Sequence, residues 1–194
     1  MSTVQSTRTK LFIQMSGAPG SGKSTLARLL RPPIDGVVID HDVLRSSLLE
    51  QGAMPFDDAA KLAYGAQWKL AEDLMKQGLS VIVDSTCNYP EVLAQGSALA
   101  AQHGYAYWYV ECSVRDVGLL DHRLRSRPNP MPSQRSAIDR PPAAAAAARA
   151  GEDPHALFAK WTKSPCRPAE NAIVVDATGE KEMLRDCILE QIIV

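Results

Sequence analysis

The sequence predicts an α/β fold: a parallel sheet of about five strands with helices on both faces. Three observations carry this expectation. Short apolar runs alternate with helical patterns along the 194 residues. The stretch "LSVIVDS" (79–85) is continuously apolar before its acid, the pattern of a strand buried on both faces. The glycine-rich "SGAPGSGKSTLARLL", Ser16 to Leu30, lies between the first apolar run and the first helical pattern, where such sheets place a ligand-binding turn. Alternation of this kind implies right-handed crossovers and a single domain over 1–194.

The elements follow in order. "KLFIQMSG" (10–17) reads as a strand ending in glycine, and 23–31 as a helix stopped by Pro32 and Pro33. "GVVID" (36–40) is a short strand, followed by a helix with Val43, Leu44, Leu48 and Leu49 on one face. Residues 56–77 carry a long helical pattern, and Gly78 stands where a C-cap belongs. After the 79–85 strand come a helix over 90–102, a strand "YAYWYVEC" (105–112) and a helix over 114–126. "RSRPNPMPSQRS" (125–136) has the composition of an exposed loop. The alanine run after Pro141 and Pro142 reads either as a surface helix, on propensity, or as a tether. A helical stretch then ends near Trp161, "NAIVVDATG" (171–179) is the last strand, and 180–192 a closing helix.

Bulk properties narrow the function classes. The hydrophobic fraction is 45%, the charged fraction 22% and the formal net charge −1, so no global field draws the chain onto nucleic acid or an anionic membrane. Four widely spaced cysteines (Cys87, Cys112, Cys166, Cys187) form no CxxC pair, which favours reduced thiols. The polar start "MSTVQSTRTK" and the lack of an apolar run near ~18 residues point to a cytoplasmic protein that does not engage a membrane.

The chemistry concentrates beyond the carboxyl ends of the strands. Gly17 to Ser24 fits G-x-x-x-x-G-K-[ST] at every fixed position. Glycines let successive backbone N–H groups turn inward to form an anion nest, and the following helix offers unpaired amides and the positive end of its dipole. Gly17, Ala18, Pro19, Gly20, Ser21, Gly22, Lys23 and Ser24, with Thr25 after them, are thus the expected donor-binding residues. Lys23 would neutralise β- and γ-phosphate charge and the Ser24 hydroxyl would ligate Mg²⁺.

"VVIDHDVLR" places Asp40 and Asp42 two apart at the end of a strand, with Arg45 one turn later. On a strand, i and i+2 share a face, so both carboxylates would converge beside the γ-phosphate. The alternative is that one of them caps the helix and Arg45 is a surface residue. His41, between the acids, points away from them on this reading. Asp84 closes the third strand at the same edge, where its plain alternative is an Asx-turn. Arg123 and Arg127, four apart, fall on one helical face running into the 125–136 loop. Residues 115–140 hold six arginines against three acids, a local excess of positive charge whose plain reading is a solvated basic face.

"GAPGSGKSTLARLL", "VVIDHDVLR", "SVIVDST" and "VECSV" together resemble the P-loop small kinases, especially the AAA-type group around the polynucleotide 5′-hydroxyl kinase domain; the D-x-D segment also resembles shikimate- and gluconate-type kinases. The resemblance implies a three-layer P-loop NTPase fold with an arginine-bearing lid over about 123–140. It implies ATP and Mg²⁺ as cofactors, Asp42 as general base, Arg45 as a substrate-anion contact, Asp40 and Asp84 around the magnesium, Arg127 on transferred charge and Arg123 on phosphate or adenine. The acceptor would be a hydroxyl of a small molecule, a nucleoside or a nucleic-acid 5′ end, and the protein a monomer or homodimer. Two alternatives stay open: a nucleotide-dependent switch that transfers nothing, and a toxin-like kinase acting on a nucleotide sugar. The group often carries D-[AS]-T-N after strand three; here "DSTCNY" puts Cys87 at the asparagine and Asn88 one residue later.

Overall fold

A computed structural model describes residues 9–52, 54–146 and 151–193. Five parallel strands form one sheet in the order β2-β3-β1-β4-β5: β1 Leu11–Ser16, β2 Gly36–Asp40, β3 Ser80–Asp84, β4 Ala106–Ser113 and β5 Ala172–Asp176. The helices are α1 (Lys23–Leu30), α2 (His41–Glu50), α3 (Phe56–Lys76), α4 (Pro90–His103), α5 (Val117–Arg125), α6 (Pro154–Lys163) and α7 (Lys181–Ile192). The α/β class and the central parallel sheet are those the apolar alternation predicts.

Side chains of β1 alternate between two cores. Leu11, Ile13 and Met15 pack with Leu26, Leu30, Leu120, Phe158 and Ile188, the face covered by α1, α5, α6 and α7. Phe12 packs on the opposite face with Trp68, Ala71, Met75 and Ala100 from α3 and α4. All six β1 residues are buried, as a central parallel strand requires. Gln14 is satisfied there: its amide donates to the Val92 carbonyl (2.8 Å) and accepts from the Tyr107 hydroxyl (2.8 Å). Gly96 leaves room for it, since a Cβ at that position would collide with the Gln14 amide.

Several local expectations are corrected. β2 stops at Asp40 and a helix begins at His41, so Asp40 and Asp42 do not share a strand face; the Asp40 carboxylate caps α2 by accepting from the Asp42 N–H (2.9 Å). The inward face of α2 is mixed: His41 and Ser46 are buried, Leu44 packs partly buried against the Phe12–Trp68 core, and Val43 is half exposed. α5 ends at Arg125 and Arg127 lies beyond it, so Arg123 and Arg127 do not share a helix face. Of the alanine run, Ala143–Ala145 form one 3₁₀ turn with Ala145 buried, while 147–150 fall outside the described residues. Gly78 does end α3, at φ 77°, with its N–H on the Met75 carbonyl. Among the described residues no helix is long and apolar enough to cross a membrane.

Candidate active site

The carboxyl ends of β1, β2 and β3 open onto one cavity of about 350 Å³. The segment after β1 forms its floor. Gly17, Gly20 and Gly22 take φ of 132°, 86° and 96°, a left-handed path that only glycine follows without strain. Packing demands glycine as well: a Cβ on Gly17 would lie 2.5 Å from the Cys112 carbonyl oxygen, and one on Gly20 2.9 Å from that of Leu120. The Ser21 N–H closes a turn onto the Ala18 carbonyl (3.0 Å). α1 starts at Lys23 with no side-chain cap and no acid in its first turn, so its amides and dipole end stay available to an anion. Pro19, Lys23 and Ser24 line the cavity; Ala18 is buried beneath the loop and Thr25 is exposed outside the lining.

Asp40 and Asp84 face each other in register across β2 and β3, whose spacing is about 4.8 Å. Burial, then the charges of Asp84 and Asp42, push the Asp40 carboxyl up to about 6. Burial also raises Asp84, against the opposing pull of Lys23 and the Ser24 hydroxyl. Its Oδ2 is buried without a hydrogen-bond partner, as is the neighbouring Ser85 hydroxyl. Two crowded carboxylates and a hydroxyl form a hard-oxygen donor set that suits Mg²⁺, an ion that normally leans on one or two carboxylates plus substrate phosphates. Among the described residues no group of three or more His, Cys, Asp or Glu makes a self-contained metal cage.

Asp42 projects from the first turn of α2 into the cavity. Its Oδ1 accepts from Arg45 Nη2 (2.9 Å) and lies 3.1 Å from the Ser133 hydroxyl; its Oδ2 accepts from the Gln134 amide (3.2 Å). Arg45 also donates to the Ser133 carbonyl (3.0 Å) and lies over the Phe56 ring at 4.6 Å. Arg45 Nη2 is thus tied to Asp42 and Ser133, while its buried Nε has no hydrogen-bond partner and its side chain lines the cavity. Arg127 lines the cavity; its N–H donates to the Leu124 carbonyl (3.2 Å), and its guanidinium has no hydrogen bond or ion pair among the described residues. Arg123 is not in the lining; it donates to the Ala177 carbonyl just past β5 (3.0 Å). Arg125 pairs with Asp121 and Asp139 at the surface.

His41 is buried against Tyr64, ring centroids 4.1 Å apart, and its ring nitrogens have no partner within hydrogen-bonding geometry. Burial, then the Arg45 charge, hold its imidazole down at about 4, so it is neutral near pH 7. Cys87 points away from the cavity, its thiol donating to the Met15 carbonyl (3.3 Å), and Asn88 lines the wall instead. The one-residue offset from the family's usual order thus still brings an asparagine to the site.

The far wall was not legible in the sequence. Phe56, Tyr64 and Tyr89 meet Trp161 and Lys160 of α6 and the following Ser164–Cys166 stretch. That stretch is anchored by Arg167, which grips the buried Glu111 of β4 with two hydrogen bonds (2.7 and 2.8 Å). Ser133, Gln134 and Trp161 belong to no motif, and only the loop-like composition of 125–136 marked any part of this wall.

No curated protein matches the chain in sequence. Solved structures match its fold over nearly its full length. One is a candidate kinase from Chloroflexus aurantiacus, with TM-score 0.71 and 16% identity, covering 95% of this chain and 96% of that one. Another is the APS kinase of Mycobacterium tuberculosis in complex with AMPPNP and APS (TM-score 0.57, 17% identity, 94% and 97%). A third is a gluconokinase from Sinorhizobium meliloti (TM-score 0.58, 15% identity, 95% and 93%). At such identities the likeness establishes a shared P-loop kinase fold. A family model described as an AAA domain matches residues 12–154, most of the chain, and the protein belongs to that family.

Proposed function

We propose that the protein is an ATP-dependent phosphotransferase that moves the γ-phosphate to a hydroxyl of a small molecule. The observation that carries this reading is convergence: the glycine loop, the Asp40–Asp84 pair, the Asp42–Arg45 pair and Arg127 all border one cavity. In this reading the amides after Gly17 and the Lys23 ammonium hold the donor's phosphates. Ser24, Asp40 and Asp84 would hold Mg²⁺, which neutralises phosphate charge when bound. Asp42 accepts the acceptor hydroxyl's proton at Oδ2, the oxygen not engaged by Arg45. Arg45 fixes the carboxylate, and Arg127 stabilises charge on the transferred group.

The cavity volume and its aromatic wall of Phe56, Tyr64, Tyr89 and Trp161 favour a small acceptor over a nucleic-acid end. Net charge of −1 supports the same choice, since binding to a phosphate backbone rests on cationic groups. The test separates binding from transfer. Asp42→Asn should keep its affinity for AMPPNP within about twofold and lose about 10²–10⁴-fold in turnover, the usual contribution of a positioned proton acceptor. Near wild-type turnover by this variant would exclude Asp42 as the base, and hydrolysis to water with no acceptor found would favour a nucleotide switch.

A further inference from the structure

The hydrogen bonds around Asp42 tie it to a segment about ninety residues away. Ser133 is buried at 2% exposure and forms the hub. Its N–H donates to Ser46 Oγ (3.2 Å), and that hydroxyl donates to Ser133 Oγ (2.9 Å). The Ser133 hydroxyl then faces Asp42 twice, 3.0 Å from the carbonyl oxygen and 3.1 Å from Oδ1. Its own carbonyl accepts from Arg45. Gln134 completes the set: its amide oxygen accepts from the Met131 N–H (3.2 Å), which aims its NH₂ at Asp42 Oδ2. Without this segment, Oδ1 would keep only Arg45 as a side-chain donor and Oδ2 would have none.

We propose that Ser133 and Gln134 are positioning residues of the transfer reaction, a clasp that locks the Asp42–Arg45 pair into one arrangement when residues 126–140 lie over the cavity. This rests on the reading of Asp42 as proton acceptor. A carboxylate held by donors on both oxygens has one orientation, and a buried serine bonded at N–H, C=O and hydroxyl cannot shift without disturbing all three. Alignment of the base therefore depends on a segment that also carries Arg127. Gln134 has a further consequence. Its amide holds the oxygen an acceptor hydroxyl approaches, so an acceptor must share or displace that contact.

The clasp and its role are tested separately on the full chain. Amide exchange over residues 131–135 is compared in wild type, Ser133→Ala and Ser46→Ala without nucleotide. Loss of one hydrogen bond in the hub should speed exchange by about tenfold or more; unchanged exchange in both variants would show that the clasp does not form in solution. The same proteins are then assayed for AMPPNP affinity, thermal midpoint and turnover of Mg·ATP. The expected pattern is turnover down about 10–100-fold with AMPPNP affinity within about twofold and a midpoint lowered by only a few degrees, so that the protein stays folded at the assay temperature and general unfolding does not produce the split. Faster exchange with full turnover would overturn the positioning role. So would phosphate on Ser133, read as an added mass of about 80 Da that disappears in Ser133→Ala, because the hydroxyl would then be a substrate. Wild type that binds AMPPNP but never turns over ATP would instead refute the kinase reading, with the exchange result still standing on its own.

Discussion

Replacing Asp40 with asparagine should stabilise the protein at the expense of the site. Asparagine caps a helix as well as aspartate does, so the bond to the Asp42 N–H survives and only the charge is removed. The side chain is 12% exposed, beside Asp84 and Asp42, and its carboxyl is raised from 3.8 to about 6. A raised carboxylate favours the protonated folded state, so its ionisation opposes folding: the cost is absent well below 3.8, grows between the two values and is complete above about 6. That difference corresponds to about 3 kcal/mol at pH 8 and about half of it at pH 5. Losing the partly exposed Arg28 ion pair (3.4 Å) takes back up to about 1 kcal/mol. A net gain of about 2 kcal/mol should raise the melting temperature of a chain this size by about 4–8 °C at pH 8. The gain should shrink on acidification and vanish near pH 4. Thermal or urea unfolding of both proteins from pH 4 to 8 reads it directly. A gain that does not vary with pH, or a loss at pH 8, would refute the assignment of this cost to crowded carboxylates. With Mg·AMPPNP the order should reverse, because the charge that burdens the empty fold is one the magnesium needs.

Three further outcomes follow from the same geometry. Lys23→Ala should weaken AMPPNP binding by about 100-fold or more with only a small change in melting temperature, because the Lys23 ammonium makes no hydrogen bond or ion pair within 4 Å among the described residues and acts on buried Asp84 only as a nearby charge; isothermal titration and thermal unfolding check it. Gly20→Ala should cost about 2–3 kcal/mol in urea unfolding and abolish AMPPNP binding, since its Cβ would meet the Leu120 carbonyl at 2.9 Å from a φ of 86°. Arg167→Ala leaves Glu111, 4% exposed, as an uncompensated buried charge and should destabilise by about 3 kcal/mol.

Local patterns carried most of the fold and about half of the site. Continuous apolar runs placed the five strands, Gly78 ended α3, and the glycine spacing before Lys23 located the phosphate loop, because each signal lies within a few residues. Asp42 shows the limit. Its type and place in the chain marked it, but strand alternation and N-cap chemistry both fit the segment, and only the bond from the Asp42 N–H to the Asp40 carboxylate decides for the capped helix. The polar burial on α2 has a related cause: His41 and Ser46 are buried because the cavity and the Ser133 segment lie against them. Ser133, Gln134 and the Arg167–Glu111 grip depend on contacts 56 or more residues apart, for which no short motif exists. Residue types alone could not show that Arg45 also holds Asp42, or that Arg123 meets the Ala177 carbonyl outside the cavity lining.

The most direct test of the central claim is the fate of the γ-phosphate. The protein is incubated with γ-labelled ATP, Mg²⁺ and a panel of sugars, polyols, nucleosides, aminoalcohols and 5′-hydroxyl oligonucleotides, and labelled products are identified by mass. The account predicts label in a small hydroxyl compound, lost in Asp42→Asn while that variant still binds AMPPNP. Label found only as inorganic phosphate across the whole panel, or transferred equally well by Asp42→Asn, would contradict it.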